Sequence, residues 1–560
     1  MQLHDPIHGY IRLDGMYAHI VNTPEFQRLN SIEQVSFRPV YPGARHDRFL
    51  HSLGTYHLAG KFVDCFFRNL KKDLKIVLPS AEENLLRTTF SYAALLHDIG
   101  HAPFSHTTEN FFKEAKLGHT NIPLIWDQLC AAVDSAVADR YSVEDPAEAN
   151  LFRFPRQLTF GASHEIMSSI LLIENRDIFL PDRNRKPVDV DLALAARMVI
   201  GYTYLPGDLN ISAVSLSVRN CLIRLLNGEV LDVDRLDYMG RDTLMTGYAN
   251  APLDLDCLAD SVTAVQLQNG QLALAYRDSA LAVFDLMFQA KISHDAWVIG
   301  NPAGQYDSAL RIHCIRELGN TYIREVFCKE ALSSRGKHWN GKTYRLLDDS
   351  DIRADLKARS GQGNPDFDEL FTRELGKRRI AAWRSYYEYH RIFNDPDNKV
   401  TPQAVYNFFQ PLMDYMSNAK VFIFNEDFYQ NLLLAYQNSR NPALPNPPKV
   451  DPKVVSAADF LRKYLRSLTT DPKKKNSYNV VLLDQTLNLT MKMDPASILI
   501  AFPRKNIPKR CGSMNYASYG ELTGISADDI VKRKYFYLFR HGGLGIRQLE
   551  KLCSQLSSVL

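Results

Sequence analysis

Apolar residues recur at helical spacing through the first two thirds of the chain. Leu86, Phe90, Ala93 and His97 fall at i, i+4, i+7 and i+11, and Leu53, Phe62, Phe66 and Leu70 read similarly, the pattern of amphipathic helices laid on a core. Strand patterns are few and short. In QLQNGQLALAY the pair Asn269 and Gly270 separates two alternating runs, which predicts a hairpin, and YNVVLL around Val480 reads as a further strand. The fold class is mainly α, a helical body with small β-hairpins and a mixed α/β C-terminal half.

Turn-rich breaks fall at SGQGNPD from Ser360, at NDPDNKVTP from Asn394 and at NSRNPALPNPPKVDP from Asn438, where five prolines in fifteen residues cannot sit in a helix. They divide the chain into a body over 1–330, a helical extension over 331–437, a linker at about 438–452 and a C-terminal subdomain over 453–560 for regulation, oligomerisation or partner binding.

Composition narrows the classes. Hydrophobic residues make up 45% and charged residues 23%, the balance of a folded globular protein rather than of a disordered, collagenous or disulfide-stapled one. The 8 cysteines form no C-x-x-C pair, so reduced, buried thiols are expected. No run of about 18 uncharged apolar residues is present. MQLHDPIHGY lacks the basic start and apolar core of a signal peptide, so a cytoplasmic protein with no membrane span is expected. A formal net charge of +3 is too mild to announce a nucleic-acid partner; any polyanion site must be local.

Four His-Asp dipeptides occur, at His4, His46, His97 and His294. Only the one at His97 and Asp98 ends a long amphipathic helix, LLRTTFSYAALLHDIGH, with Gly100 as the expected terminator that turns His101 and HAPFSH back towards the same spot. A hydrolytic metal centre needs neutral imidazoles and carboxylates converging from several helices, with positions left open for water and substrate. His51 in RFLHSLGTYHLA and Asp234 in LDVDRLDYMGRD could complete one. Taken singly, a histidine near an apolar helix face is more often a hydrogen-bonded core residue, and an aspartate among charged neighbours is usually solvated.

The segments DPIHGYIRL, TPEFQRL, RFLHSLGTYHLA, ALLHDIGHAPFSH, SHEIMSSILL and LDVDRLDYMGRD, in order over the first half of the chain, resemble the HD-domain deoxynucleoside triphosphate triphosphohydrolases, especially the vertebrate sterile-alpha-motif and HD-domain kind without its first domain. The resemblance implies an HD-domain helical body with His51, His97, Asp98 and Asp234 as metal ligands. Mixed N/O ligation suits iron, manganese, nickel, zinc or magnesium. It implies hydrolysis of a deoxynucleoside triphosphate at the α-phosphorus to deoxynucleoside and inorganic triphosphate. His106 would be the general acid, with Glu109 and His164 orienting it and raising its pKa. It further implies Arg48 and Arg235 towards the phosphates, His101 among the substrate-binding residues, Gln34 and Val35 against base and sugar, and Tyr238 and Asp242 against the deoxyribose.

The chain departs from the family in four places. Glu109 replaces an aspartate and Arg235 a lysine, while Asn22 and Asn30 stand where the vertebrate enzyme has a charged pair that reads guanine; two amides cannot copy an arginine fork and a carboxylate. Activation by the same nucleotide is therefore not expected, whereas a homo-oligomer with a different activating nucleotide at subunit interfaces is. Basic clusters at Lys377 to Arg379, Lys473 to Lys475 and Lys532 to Lys534, the last followed by YFYLF, would suit a protein partner or single-stranded nucleic acid in the C-terminal half. Two rival readings are an HD-domain nucleotidase or phosphodiesterase, and a nucleotide-sensing or nucleic-acid-binding regulator. Housekeeping control of nucleotide pools, salvage and antiviral depletion would all use the same site.

Overall fold

A computed structural model describes residues 1–35, 38, 40–114, 128–134, 161–180, 190–228, 231–247, 253–334, 346–372, 378–394, 400–440, 449–487, 498–501, 513–515 and 533–560. The chain is mainly helical and forms two compact units, each assembled from separated segments. The first comprises Met1–His294, Leu318–Asp355 and Thr490–Ile530; the second comprises Asp295–Glu317, Leu356–Leu489 and Val531–Leu560. Residue 330 lies within the first unit and residues 438–452 within the second. Every candidate site residue belongs to the first unit.

Its longest helix, Arg48–Leu74, starts where the Asp47 carboxylate accepts from the Leu50 amide and ends at Lys75 in the left-handed region. That acceptor satisfies one of the amides a helix start leaves unpaired. Leu53, Phe62, Phe66 and Leu70 are at most 1% exposed, so the apolar stripe faces the core as its spacing predicts. Ser80–Leu96 carries Glu82 and Glu83 in its first turn, where the helix dipole favours negative charge, and buries Leu86, Phe90 and Ala93 completely.

The helix closes at Leu96 with His97 as its cap, so Gly100 is not its terminator. Gly100 instead lets the turn press against the helix Ser163–Glu174: a Cβ there would overlap the Ser168 backbone nitrogen, and the Gly100 amide donates to Ser168 Oγ at 2.9 Å. The helix Val233–Thr246 is capped by Asp232, which accepts from the Arg235 amide, and stops at Gly247 with φ 64°, a conformation that favours glycine.

The Asn-Gly hairpin forms as expected, Val262–Gln266 pairing antiparallel with Leu272–Arg277 around Gly270 at φ 82°. Leu272–Arg277 then pairs in parallel with Leu499–Ala501, which pairs with Ser513–Asn515. A second hairpin, Gln2–Asp5 with Gly9–Arg12, had no turn signal as clear as Asn-Gly. Asp5 Oδ1 builds its turn by accepting from the amides of Ile7 at 2.8 Å and His8 at 2.9 Å, an Asx-type turn.

In the second unit, Asn479–Leu487 is the strand expected at YNVVLL. It lies between Phe424–Asn425 and Arg533–His541, with Arg379–Ala381 beyond. Tyr535, Phe536, Tyr537, Leu538 and Phe539 are each no more than 2% exposed. The YFYLF run is therefore a strand covered on both faces, and its rings are not open to stacking bases. Lys534 places its ammonium 5.9 Å from the Tyr406 ring centre; Lys377 and Lys532 lie outside the described residues. Helices Glu426–Ser439 and Pro452–Arg466 are tied by Arg462 and Glu426 at 2.7 Å, with Tyr478 donating to the same carboxylate at 2.7 Å. No described helix is long and apolar enough to cross a membrane.

Candidate metal centre and its histidine neighbours

Three helices converge on one point. His51 comes from the first turn of Arg48–Leu74, His97 and Asp98 from the end of Ser80–Leu96, and Asp234 from the first turn of Val233–Thr246. His51 Nε2 lies 2.9 Å from Asp234 Oδ1 and 3.3 Å from His97 Nε2. His97 Nε2 lies 3.5 Å from Asp234 Oδ1 and 3.5 Å from Asp98 Oδ1, and Asp98 Oδ2 is 3.5 Å from His51 Nε2.

The opposite edges of both rings are already used. His97 Nδ1 donates to the Ala94 carbonyl at 2.8 Å and His51 Nδ1 to Asp237 Oδ2 at 2.7 Å. A ring that donates from Nδ1 presents a lone pair at Nε2. Two inward lone pairs and two carboxylates within a few ångströms are the N/O donor set of a divalent cation, and the residues fit one. The coordinating atoms of His51, His97 and Asp234 all lie within 4.8 Å of one another.

Charge balance follows from these pairings. Burial disfavours the charged His51 ring, but Asp234 and Asp237 outweigh it and push the ring up to about 10, so Nε2 carries a proton that a cation would have to displace before it could use that lone pair. Burial would raise the Asp234 carboxyl; His51 and His97 hold it well below the usual range instead. Asp98 is likewise held low against its burial, first by Arg48 and then by His97 and His101. The Arg48 guanidinium donates to Asp98 Oδ2 at 2.7 Å, to Ser105 Oγ at 3.0 Å and to the Gln34 carbonyl at 3.0 Å.

A second cluster adjoins the first. His101 and His164 stack with ring centres 4.1 Å apart, and His106 stands edge-on at 5.0 Å and 4.9 Å from them. One ring nitrogen from each also lies within 4.8 Å of the other two. His101 Nε2 is 3.2 Å from Asp98 Oδ1, yet neither of its ring nitrogens has an aligned hydrogen-bond partner among the described residues.

Glu109 was expected to serve His106 and raise its pKa. Its Oε2 in fact lies nearer His164 Nδ1, at 2.6 Å, than His106 Nδ1, at 3.4 Å. For His164, Glu109 outweighs burial and the ring is raised. For His106, the loss of hydration wins, helped by the charges of Arg48 and His164 against so long a bond, and the ring is lowered. That lowering corrects the expectation. The His106 side chain nevertheless keeps 52% of its surface open, so it is the exposed member of the cluster.

The other expected residues surround the pair of clusters. Gln34 is buried with Oε1 lacking a partner among the described residues, and Val35 beside it is half-buried. Arg235 approaches Asp232 at 3.7 Å, while its Nε and one terminal nitrogen are buried without a hydrogen-bond acceptor among the described residues; such a guanidinium suits an anion. Tyr238 has the Lys291 ammonium 5.9 Å from its ring centre. Asp242 is buried, accepts from His46 Nε2 at 2.7 Å and lies 3.6 Å from His294 Nε2.

Four partners escaped sequence reasoning: Asp237, behind His51; His8, which meets Asp237 at 2.7 Å; His46, on Asp242; and Asp349, which accepts from the Glu33 and Phe104 amides at 2.9 Å and 2.6 Å. Asp237 had a usable signal, since i+3 from Asp234 shares its helix face.

No family model matches the chain. Among curated proteins, it is 31% identical over 249 residues to deoxynucleoside triphosphate triphosphohydrolase SAMHD1 of Gallus gallus, covering 44% of this chain and 34% of that one. It is 41% identical over 111 residues to SAMHD1 of Homo sapiens, covering 20% of this chain and 17% of that one. The chain thus spans about a third or less of the length of these relatives. A crystal structure of a hypothetical protein from Aquifex aeolicus matches with TM-score 0.53 at 15% identity, covering 99% of both chains, a likeness of fold. The sequence resemblance to HD-domain deoxynucleoside triphosphate triphosphohydrolases holds across 44% of the chain.

Proposed function

We propose that this protein hydrolyses deoxynucleoside triphosphates to deoxynucleoside and inorganic triphosphate. The observation that carries the reading is the convergence of His51, His97, Asp98 and Asp234 beside a carboxylate-linked histidine cluster. These four would hold a divalent cation, which when bound supplies Lewis acidity and makes hydroxide available near neutral pH. Arg48 and Arg235 bring guanidinium forks to the triphosphate, with His101 beside them. Gln34 offers its amide oxygen, unpaired among the described residues, with Val35, to base and sugar. Tyr238 crowds the 2′ position and Asp242, steadied by His46, receives the 3′-hydroxyl, a geometry that rejects ribonucleotides.

The leaving 5′-oxygen needs a proton. His106, the exposed ring of its cluster, donates it; a lowered pKa makes its protonated form the stronger acid but the scarcer one. His164 and the Glu109 carboxylate between the two rings reload it. A homo-oligomer with an activating nucleotide at its interfaces, on resemblance alone, and a cytoplasmic setting and a protein partner for the second unit, on sequence composition, complete the proposal.

The test is product analysis. The full chain, loaded in turn with manganese, iron, nickel, zinc or magnesium, is incubated with each dNTP singly and in mixtures, beside an Asp98→Ala control, and products are resolved by ion exchange. Deoxynucleoside plus triphosphate, lost in the control, is the expected result. Inorganic phosphate in place of triphosphate would instead favour a nucleotidase, deoxynucleoside monophosphate with pyrophosphate a phosphodiesterase-type cleavage, and survival of every dNTP under all conditions removes the substrate assignment.

A further inference from the structure

Asp237 lies in the same helix as Asp234, one turn on, and is 1% exposed. Each of its oxygens accepts two bonds. Oδ2 takes His51 Nδ1 at 2.7 Å and Arg241 Nε at 2.8 Å; Oδ1 takes His8 Nε2 at 2.7 Å and a terminal nitrogen of Arg241 at 2.9 Å. Arg241 donates its other terminal nitrogen to Asp5 Oδ2 at 2.8 Å. One guanidinium therefore serves two carboxylates, and a net negative charge is left for the two imidazoles. Asp5 and His8 both come from the N-terminal hairpin, more than two hundred positions away in sequence.

The approach of the two helices is bought by one residue. Gly54 sits three positions after His51 on the same helix, and a Cβ there would overlap Asp237 Oδ1 and crowd Arg241. Only glycine lets the carboxylate come close enough to meet His51 Nδ1.

From this geometry we propose that Asp237 is the positioning residue of the metal centre, fixing the tautomer and tilt of His51, and that the N-terminal hairpin holds Asp237 in place through His8 and Arg241. A carboxylate behind a ligating histidine makes Nε2 the electron-rich nitrogen and raises its basicity, and loss of such a partner typically costs about 10- to 100-fold in metal affinity. Asp237 does not touch the substrate; its influence passes through one ring. The inference rests on the reading of His51, His97, Asp98 and Asp234 as metal ligands, and its test separates the two.

Manganese affinity of the metal-stripped full chain is measured by competition with a fluorescent chelator, alongside the thermal stability of the metal-free protein. Four proteins are compared: wild type, Asp234→Ala, Asp237→Asn and His8→Gln. Wild type binds and Asp234→Ala does not, if the ligand reading holds; a wild type that binds no manganese overturns that reading and this inference with it. Asp237→Asn should weaken binding about 10- to 100-fold. A variant that binds as tightly as wild type, and only melts earlier when metal-free, has lost a purely structural contact and overturns the proposal alone. Should Asp237→Asn fail to fold, His8→Gln decides, because it leaves the Arg241 pair intact. Weaker manganese binding with unchanged metal-free stability supports the hairpin's hold on Asp237, and unchanged affinity overturns it.

Discussion

Asp349 holds the backbone of Phe104 by accepting its amide at 2.6 Å. Phe104 and Ser105 adopt φ of 65° and 52°, a region that costs a residue with a Cβ roughly 1–2 kcal/mol, and they begin the turn that delivers His106. The other Asp349 oxygen accepts from the Glu33 amide at 2.9 Å, so one side chain registers the His106 turn against the segment bearing Gln34. Asp349→Ala leaves both amides without this acceptor, at about 1–3 kcal/mol for each buried group. Denaturant unfolding should show a loss of about 2–4 kcal/mol, and turnover should fall although no proposed ligand is touched. A loss under about 0.5 kcal/mol would show that the strained turn holds without this carboxylate.

The histidine cluster makes its own prediction. General acid catalysis contributes about 10²- to 10⁴-fold, so His106→Ala should lower kcat within that range and change KM little. His164→Ala should lower kcat less, since Glu109 remains 3.4 Å from His106. Steady-state kinetics on one dNTP decide the order. Equal losses would mean the two rings act as one unit, and a larger loss at His164 would reverse the assignment of the donor.

Gly100→Ala tests the contact between the His97–His101 turn and the helix Ser163–Glu174. The added methyl would overlap backbone at Ser168 rather than a flexible side-chain end, so the turn or the helix must move. Overpacking of this kind costs about 1–3 kcal/mol. Thermal and denaturant melts should both shift down, and activity should fall further than stability explains, because His97, Asp98 and His101 ride on the same turn.

The second unit carries an acid-sensitive tie. The Arg462 guanidinium, at 2.7 Å, holds the Glu426 carboxyl down at about 2, with Tyr478 helping. A carboxyl lowered in the folded state stabilises above its unfolded pKa of roughly 4.3 and loses that contribution as pH falls through the folded value. Stability should therefore drop between about pH 4.5 and pH 2, and Glu426→Gln should flatten that limb while the two proteins differ by a constant amount above pH 5. Denaturant midpoints taken across this window check it; parallel curves for the two proteins below pH 4.5 would remove the tie.

Much of this was legible along the chain because it is local. The spacing of Leu53, Phe62, Phe66 and Leu70 gave a helix face, Asn269 and Gly270 gave a turn, and the six motifs picked His51, His97, Asp98 and Asp234 from many histidines and aspartates. What stayed hidden is non-local. Asp237 meets His8 across 229 positions and Asp349 meets Glu33 across 316, and no spacing rule links such pairs. His46 was passed over because its dipeptide does not end an amphipathic helix; the fold nonetheless sets it on Asp242. The aromatic run after Lys534 misled for a different reason: a strand buried on both faces loses its period-two alternation, and its rings then read like a surface for stacking.

One further consequence follows from the order in which a ribosome releases the chain. The first unit closes its sheet only when Leu499–Ala501 comes alongside Leu272–Arg277, because its last segment is Thr490–Ile530. Until then the histidine-bearing body has one strand edge bare, a template for pairing with other chains. A chain stopped anywhere between the two strands would keep that edge bare and should aggregate instead of yielding a smaller folded body.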